Sequence, residues 1–183
     1  MKSIHVAALM AALGGLLTPE RALADAVTDW NVATFAAVEA SGVGKTFLGG
    51  TRTVAMTHAA VHDALNAIHR RYRPWAYDGL GPTSASPEAA VAAAAYGVLV
   101  SELPTQKPAL DAAYGTALAA IADGSARSDG IAIGQAAAAA VLAKKANDGS
   151  ATPMPYTSGT APGEWQPTPP AFAQPLAPEW AYG

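Results

Sequence analysis

The sequence contains no cysteine, which excludes disulfide bridges and thiolate metal sites and leaves packing alone to hold the chain together. Charge is scarce as well. Only 14% of residues are Asp, Glu, Lys or Arg, against roughly 25% in an average domain, and the net charge is −3. There is no basic run and no interleaving of aromatic with basic residues, so the electrostatic footprint of a nucleic-acid-binding protein is missing. Long apolar runs are missing too. A membrane-spanning helix needs about 20 consecutive apolar residues. The longest candidate beyond the N-terminus, Ile131 to Ala143, is shorter and carries Gly134 and Gln135. Neither nucleic acid nor membrane is therefore expected as a partner once the N-terminal leader is removed.

What the sequence has is alanine. Apolar residues make up 51% of the 183 positions, enough for the core of one ordinary domain. Much of that fraction is alanine, so the core should be built from closely approaching helices and few large side chains.

The N-terminus reads as a signal peptide covering residues 1–24. Lys2 supplies the positive start, Ile4 to Leu17 is uncharged apart from His5, Pro19 breaks the run, and Ala22-Leu23-Ala24 fits a small-x-small cleavage site. Cleavage would leave Asp25 first. The chain is accordingly expected to be exported, to a periplasm or the cell exterior.

Residues 25–150 read as a helical domain of five helices. The first is expected from about Thr28, which can cap it, to Ser41, with Trp30, Phe35 and Val38 as its apolar weight and Gly42 and Gly44 as its stop. The second runs from Thr51 to Arg70. Val54, His58, Val61, Leu65 and Ile68 alternate spacings of four and three and so form one stripe on a helix. The third begins after Ser86, which can cap it. Pro87 takes the first helical position, Glu88 meets the positive end of the helix dipole, and Pro104 ends it. The fourth spans Lys107 to Ala122, with Leu110, Tyr114, Leu118 and Ile121 on one side, and Asp123-Gly124 turns the chain. The fifth covers Ala126 to Ala146, with Lys144 and Lys145 in the last turn where the dipole favours cations. Its Gly130, Gly134 and the alanines 136–140 would let another helix approach closely.

Composition then changes. Eight of the fourteen prolines fall at 153, 155, 162, 167, 169, 170, 175 and 178, which excludes both helix interior and central strand. Tyr156, Trp165, Phe172, Trp180 and Tyr182 are interleaved with them, whereas disordered linkers are poor in aromatics. Residues 151–183 therefore read as an extended proline-rich strap whose rings dock on a surface. The expected fold is all-α: a bundle of about five helices with this C-terminal strap.

Candidate chemistry is thin. Gly44-Lys45-Thr46 resembles the end of a phosphate-binding loop, but Glu39 stands where that loop needs glycine and the segment before it reads as helix. His58 and His62, one turn apart, could chelate a single ion. His69 lies about 10 Å further along the axis at roughly 1.5 Å per residue, too far to join them, and Ala59 replaces the glutamate of a zinc-protease helix. The favoured reading is that His58 packs in the apolar stripe, its ring nitrogens bonded to polar partners such as Asn66 or a carbonyl on another helix. Asp63 points elsewhere and should pair with Arg70, Arg71 or Arg73 or bind a loop backbone. No serine stands in a nucleophile context, and no carboxylate pair is placed for acid–base work. No catalytic, cofactor-binding or metal-ligating residue is assigned.

Four segments occur in order: Asp29-Trp30-Asn31; Met56-Thr57-His58-Ala59-Ala60-Val61-His62-Asp63-Ala64-Leu65-Asn66-Ala67-Ile68; Ala146-Asn147-Asp148-Gly149; and Gly163-Glu164-Trp165-Gln166-Pro167-Thr168-Pro169-Pro170-Ala171-Phe172. Together they resemble the N-terminal helical half of bacterial vanadium-dependent haloperoxidase-like proteins, of the type 2 phosphatidic acid phosphatase superfamily. The resemblance covers Asp25 to Trp180. It implies an all-helical enzyme that binds vanadate or phosphate in its C-terminal half, where a Lys and several Arg hold the oxyanion, one His is bonded to it and another acts in acid–base chemistry.

That catalytic pattern is not matched here. Asn66 stands seven residues before the lone Arg-Pro, Arg73-Pro74, where the family has Lys, and Thr160 follows Ser158-Gly159 where it has His. The resemblance thus implies an accessory helical domain without a cofactor of its own. Its partner would be the C-terminal catalytic domain of the same parent protein, toward which the strap leads, and vanadate would be the parent's cofactor if it is a haloperoxidase. A second reading, from a different class, is a self-contained exported helical binding protein that uses the His58/His62 face or the aromatic strap.

Overall fold

In a computed structural model, the described residues are 24–42, 47–150, 152 and 154–182. They form an all-α structure with no strand among them. The leader and Gly44-Lys45-Thr46 lie outside the described residues, apart from Ala24, which begins the first helix. The α-helices are α1 (Ala24–Ser41), α2 (Phe47–Ile68), α3 (Pro87–Glu102), α4 (Lys107–Ala119) and α5 (Ser125–Lys145). Short 3-10 turns occupy Pro104–Gln106 and Pro178–Tyr182.

The end of α1 and both ends of α3 fall where the sequence places them. Ser86 Oγ accepts the Ala89 N–H at 3.1 Å, Pro87 opens α3, and Leu103, constrained by the proline after it, leaves the helix at φ −128°. Other ends do not. α1 begins at Ala24 rather than Thr28, and α2 runs back to Phe47 through Gly49 and Gly50 instead of starting at Thr51. Burial of Gly50 overrides the weak helix propensity of the glycine pair, which costs about 1 kcal/mol per residue. α2 stops at Ile68 rather than Arg70 because Asn66 Oδ1 accepts the N–H groups of Arg71 and Tyr72, both at 2.9 Å, and curls the chain away. α4 stops at Ala119 rather than Ala122, and Arg127 closes its open end by donating to the carbonyls of Leu118 and Ile121.

α3 is the central helix and packs against the other four. Ala89, Ala90, Val91, the alanines 92–95, Val98 and Leu99 are all at most 1% exposed. Its tightest neighbour is α5, through the small residues that the sequence singles out. A Cβ added at Gly134 would stand 2.7 Å from Ala93 Cβ and 2.8 Å from Ala94 N, and one at Gly130 would stand 2.9 Å from Ala89 Cβ. A Cβ at Gly97 of α3 would meet Ala138 Cβ at 2.8 Å. Each buried methyl contributes only about 0.8 kcal/mol of transfer free energy. Close backbone approach makes up the rest through dispersion contacts at interior packing density.

Two expected faces are displaced. On α1 the inward residues are Trp30, Thr34, Ala37 and Val38, while Phe35 is 54% exposed. Thr34 takes the inward place because its hydroxyl is satisfied locally, donating to the Trp30 carbonyl at 2.6 Å. On α2 the buried line runs through Thr53, Met56, Thr57, Ala60, Ala64 and Ala67, with Val61 and Ile68 at its edge. Val54, His58 and Leu65 are half-buried. The reason is again close packing: the small side chains face α3, and the larger ones flank the contact. Tyr114 of α4 stacks on Tyr96 of α3 at 4.4 Å and meets Trp30 edge-on at 6.5 Å, joining three helices.

The residues described from 154 to 182 contain no α-helix and are mostly exposed. Trp165, Phe172 and Leu176 are 41%, 60% and 72% exposed, and Trp180 is half-buried against the bundle. No described helix is long and apolar enough to cross a membrane.

Candidate functional site

The polar residues of the second resembling segment lie on α2 and face three different partners. His58 Nε2 is 2.9 Å from Asn31 Oδ1 on α1. Its partner is therefore the side-chain carbonyl of the first segment's asparagine, on another helix, and not Asn66. His62, whose side chain is 41% exposed, places Nε2 3.3 Å from the Arg73 carbonyl and 3.9 Å from Asp63 Oδ1. Asp63 is fully buried. Its Oδ1 accepts the Trp75 N–H at 2.8 Å, and its Oδ2 accepts those of Ala76 at 2.7 Å and Tyr77 at 2.8 Å. Of the partners open to it from sequence, Asp63 takes the loop backbone. Asn66 completes the clamp: besides accepting from Arg71 and Tyr72, it donates from Nδ2 to the Tyr72 carbonyl at 2.7 Å. One turn and a half of α2 thus fixes the backbone of residues 71–77.

Arg70 turns onto the loop, pairing with Asp78 at 2.5 Å and donating to the carbonyls of Asp78 and Gly79, and His69 is exposed. Among the described residues, no three His, Cys, Asp or Glu side chains assemble into a group that could hold a metal ion. The guanidinium groups of Arg52, Arg70 and Arg127 each face a carboxylate, so they do not share an oxyanion.

A second constellation escapes the sequence reading. Arg52 of α2 donates from Nη1 to Glu102 at the end of α3 at 2.5 Å, from Nε to Asp148 at 2.9 Å, and from Nη2 to the Lys145 carbonyl at 3.1 Å. Lys145 Nζ lies 2.9 Å from Asp148 Oδ2, and Ser150 donates to Asp148 Oδ1 from both its hydroxyl and its N–H. These side chains are between 11% and 31% exposed. Partial burial alone would raise the Asp148 carboxyl. The Ser150 hydroxyl, the Lys145 ammonium and the Arg52 guanidinium overcome that effect and hold it well below the usual carboxylate range. The hub also supplies a donor to a terminal carbonyl of α5 that has no helical partner. Arg52 therefore ties α2 to the ends of α3 and α5, and Asp148, from the third resembling segment, braces it against Lys145. Positions 52, 102 and 148 share no periodicity, so the only sequence signal for the hub is the Asp148-Gly149-Ser150 turn.

Family models, curated proteins and solved structures give no match to this chain. The functional argument therefore rests on the residues. Asn31, His58, Asp63, Asn66 and Asp148 all carry polar groups suited to catalysis, yet each is engaged in joining two parts of the bundle.

Proposed function

We propose that this chain is the N-terminal helical domain of an exported vanadium-dependent haloperoxidase or related acid phosphatase, with the oxyanion-binding half supplied by sequence outside these residues. One observation carries the reading: the polar residues of the resembling segments act as joints. Asn31 meets His58, Asp63 and Asn66 clamp the 71–77 loop, and Asp148 meets Arg52 and Lys145. A motif whose polar residues serve to fix helices supports a scaffold role, in which the chain presents a rigid face to a catalytic domain. The parent reaction is halide oxidation by peroxide or hydrolysis of a phosphomonoester, with vanadate or phosphate held by the other domain.

The test compares the 25–183 chain with the product of the same gene extended through its downstream reading frame. Both are assayed for bromide oxidation with added vanadate and for phosphomonoester hydrolysis. Activity only in the extended product, together with a Lys–Arg-Pro and Ser-Gly-His pattern in its sequence, is the expected result. Equal activity in both, or a stop codon after Gly183, would contradict the proposal. The stop codon would favour the helical binding protein instead.

A further inference from the structure

Beside the Arg52 hub lies a cleft of about 450 Å³, within the size range of small-ligand sites, roughly 300–1,000 Å³. Its floor is one face of α2, made by Ala55, Met56 and Ala59, and its walls include Trp75 of the long loop and Trp180 of the strap. Arg52, Lys145, Asp148 and Ser150 line its polar side. Two indole rings with an alanine-rich floor suit a flat apolar ligand, since small floor residues leave room for a ring and the indoles offer faces and edges to it.

The charge at the cleft sets what the ring should carry. Lys144 holds its ammonium 5.2 Å from the centroid of the Trp75 ring. Of the charged side chains that line the cleft, two are cations (Arg52 and Lys145) and one is a carboxylate (Asp148), an excess of one positive charge. Glu102 and Glu179 line the adjoining cavity across Arg52 and Trp180, not this cleft. Both carboxylates of the hub are already paired. The Lys145 ammonium, by contrast, carries three donors, and Asp148 occupies one direction. An incoming acceptor therefore finds donors, whereas an incoming cation finds the carboxylates taken and two ammonium groups nearby.

We propose that this cleft is a binding site for small aromatic carboxylates, the ring lying between Trp75 and Trp180 over α2 and the carboxylate reaching the lysines at the end of α5. The site does not depend on the domain's relation to any catalytic half. Because one wall comes from the strap, occupancy would also fasten the strap to the bundle.

The test is calorimetric and ligand-observed NMR titration of the full chain with three probes of one shape: phenylacetate, phenylacetamide and phenethylamine. Phenylacetate should bind at least about tenfold more tightly than the amine, with the amide between them, a difference of one decade in Kd. Trp75→Ala and Trp180→Ala should each weaken phenylacetate by about tenfold. Lys145→Met, which keeps the alkyl stem, should remove the preference for the carboxylate over the amide. Far-UV circular dichroism checks folding, and Trp180→Ala, which alters only the strap, carries the test if Trp75→Ala or Lys145→Met fails to fold. The proposal is overturned if the amine binds as well as the carboxylate, if no probe binds at millimolar concentration, or if binding is indifferent to both tryptophan substitutions.

Discussion

Replacing Asp63 by Asn should unfold this protein several degrees earlier, although the change keeps the shape of the side chain. The carboxylate is buried and accepts three backbone N–H groups through two oxygens. The best orientation of an asparagine keeps its carbonyl oxygen at the Oδ2 position, where it still accepts from Ala76 and Tyr77. Its amide nitrogen then faces the Trp75 N–H, donor against donor. Leaving one buried donor unsatisfied costs about 1–3 kcal/mol, and the two retained bonds fall from charged to neutral strength, a further loss of about 0.5–1 kcal/mol each. The sum is about 2–5 kcal/mol, a large part of the roughly 5–15 kcal/mol that stabilises an ordinary domain. At about 2–4 °C per kcal/mol for a chain of this size, Tm should fall by about 5–15 °C. Asp63→Ala, which strands all three donors, should fall at least as far. Thermal melts followed by circular dichroism, with urea unfolding as a check on two-state behaviour, measure both. A Tm within about 2 °C of the parent for Asp63→Asn would refute the clamp. It would instead make Asp63 resemble a reacting group, whose replacement is typically neutral or stabilising.

Other consequences can be measured alongside it. Gly134→Ala should destabilise by about 1–3 kcal/mol through overpacking against Ala90 and Ala93 despite its better helix propensity, whereas Gly115→Ala, with open space around it, should stabilise by about 0.5–1 kcal/mol; chemical denaturation of both separates packing from propensity. The depressed Asp148 carboxyl binds fewer protons in the folded than in the unfolded chain, so its contribution is complete above the unfolded value near 3.9 and is lost as pH falls through the folded one. Stability should therefore drop between about pH 5 and the acid limit, and Asp148→Asn should flatten that limb of a stability-versus-pH curve. Arg52→Met should cost about 3–5 kcal/mol, since it leaves Glu102 and Asp148 partly buried beside each other without their shared cation, and Glu102→Gln in the same chain should recover part of the loss in denaturant titrations.

The legible parts of the fold were those with local chemistry. Ser86-Pro87-Glu88 and Pro104 mark α3 because capping and proline sterics act within a few residues. The glycines of α5 likewise announce a close helix contact, and the structure puts that contact against α3. The start of α1 was misplaced because Thr28, a good capping residue, lies inside the helix, and that of α2 because burial outweighs the Gly49-Gly50 pair. Phe35 misled because size suggested an inward ring, whereas a core built on alanine prefers Thr34 there. At the site, the choice of Asp63 for a loop backbone was open from sequence, but which backbone it takes is fixed by the path of residues 71–77. The His58–Asn31 and Arg52–Glu102–Asp148 contacts join residues separated by 27, 50 and 96 positions, and no periodicity in a single sequence encodes such pairings.

The central claim, that these residues form a scaffold for an oxyanion site located elsewhere, is tested most directly by titrating vanadate into the 25–183 chain and into its extended product while following the vanadium-51 NMR signal of free vanadate. The account predicts that the chain alone leaves the free-vanadate signal unchanged and that the extended product removes it in one-to-one proportion. One-to-one binding by the chain alone would contradict it.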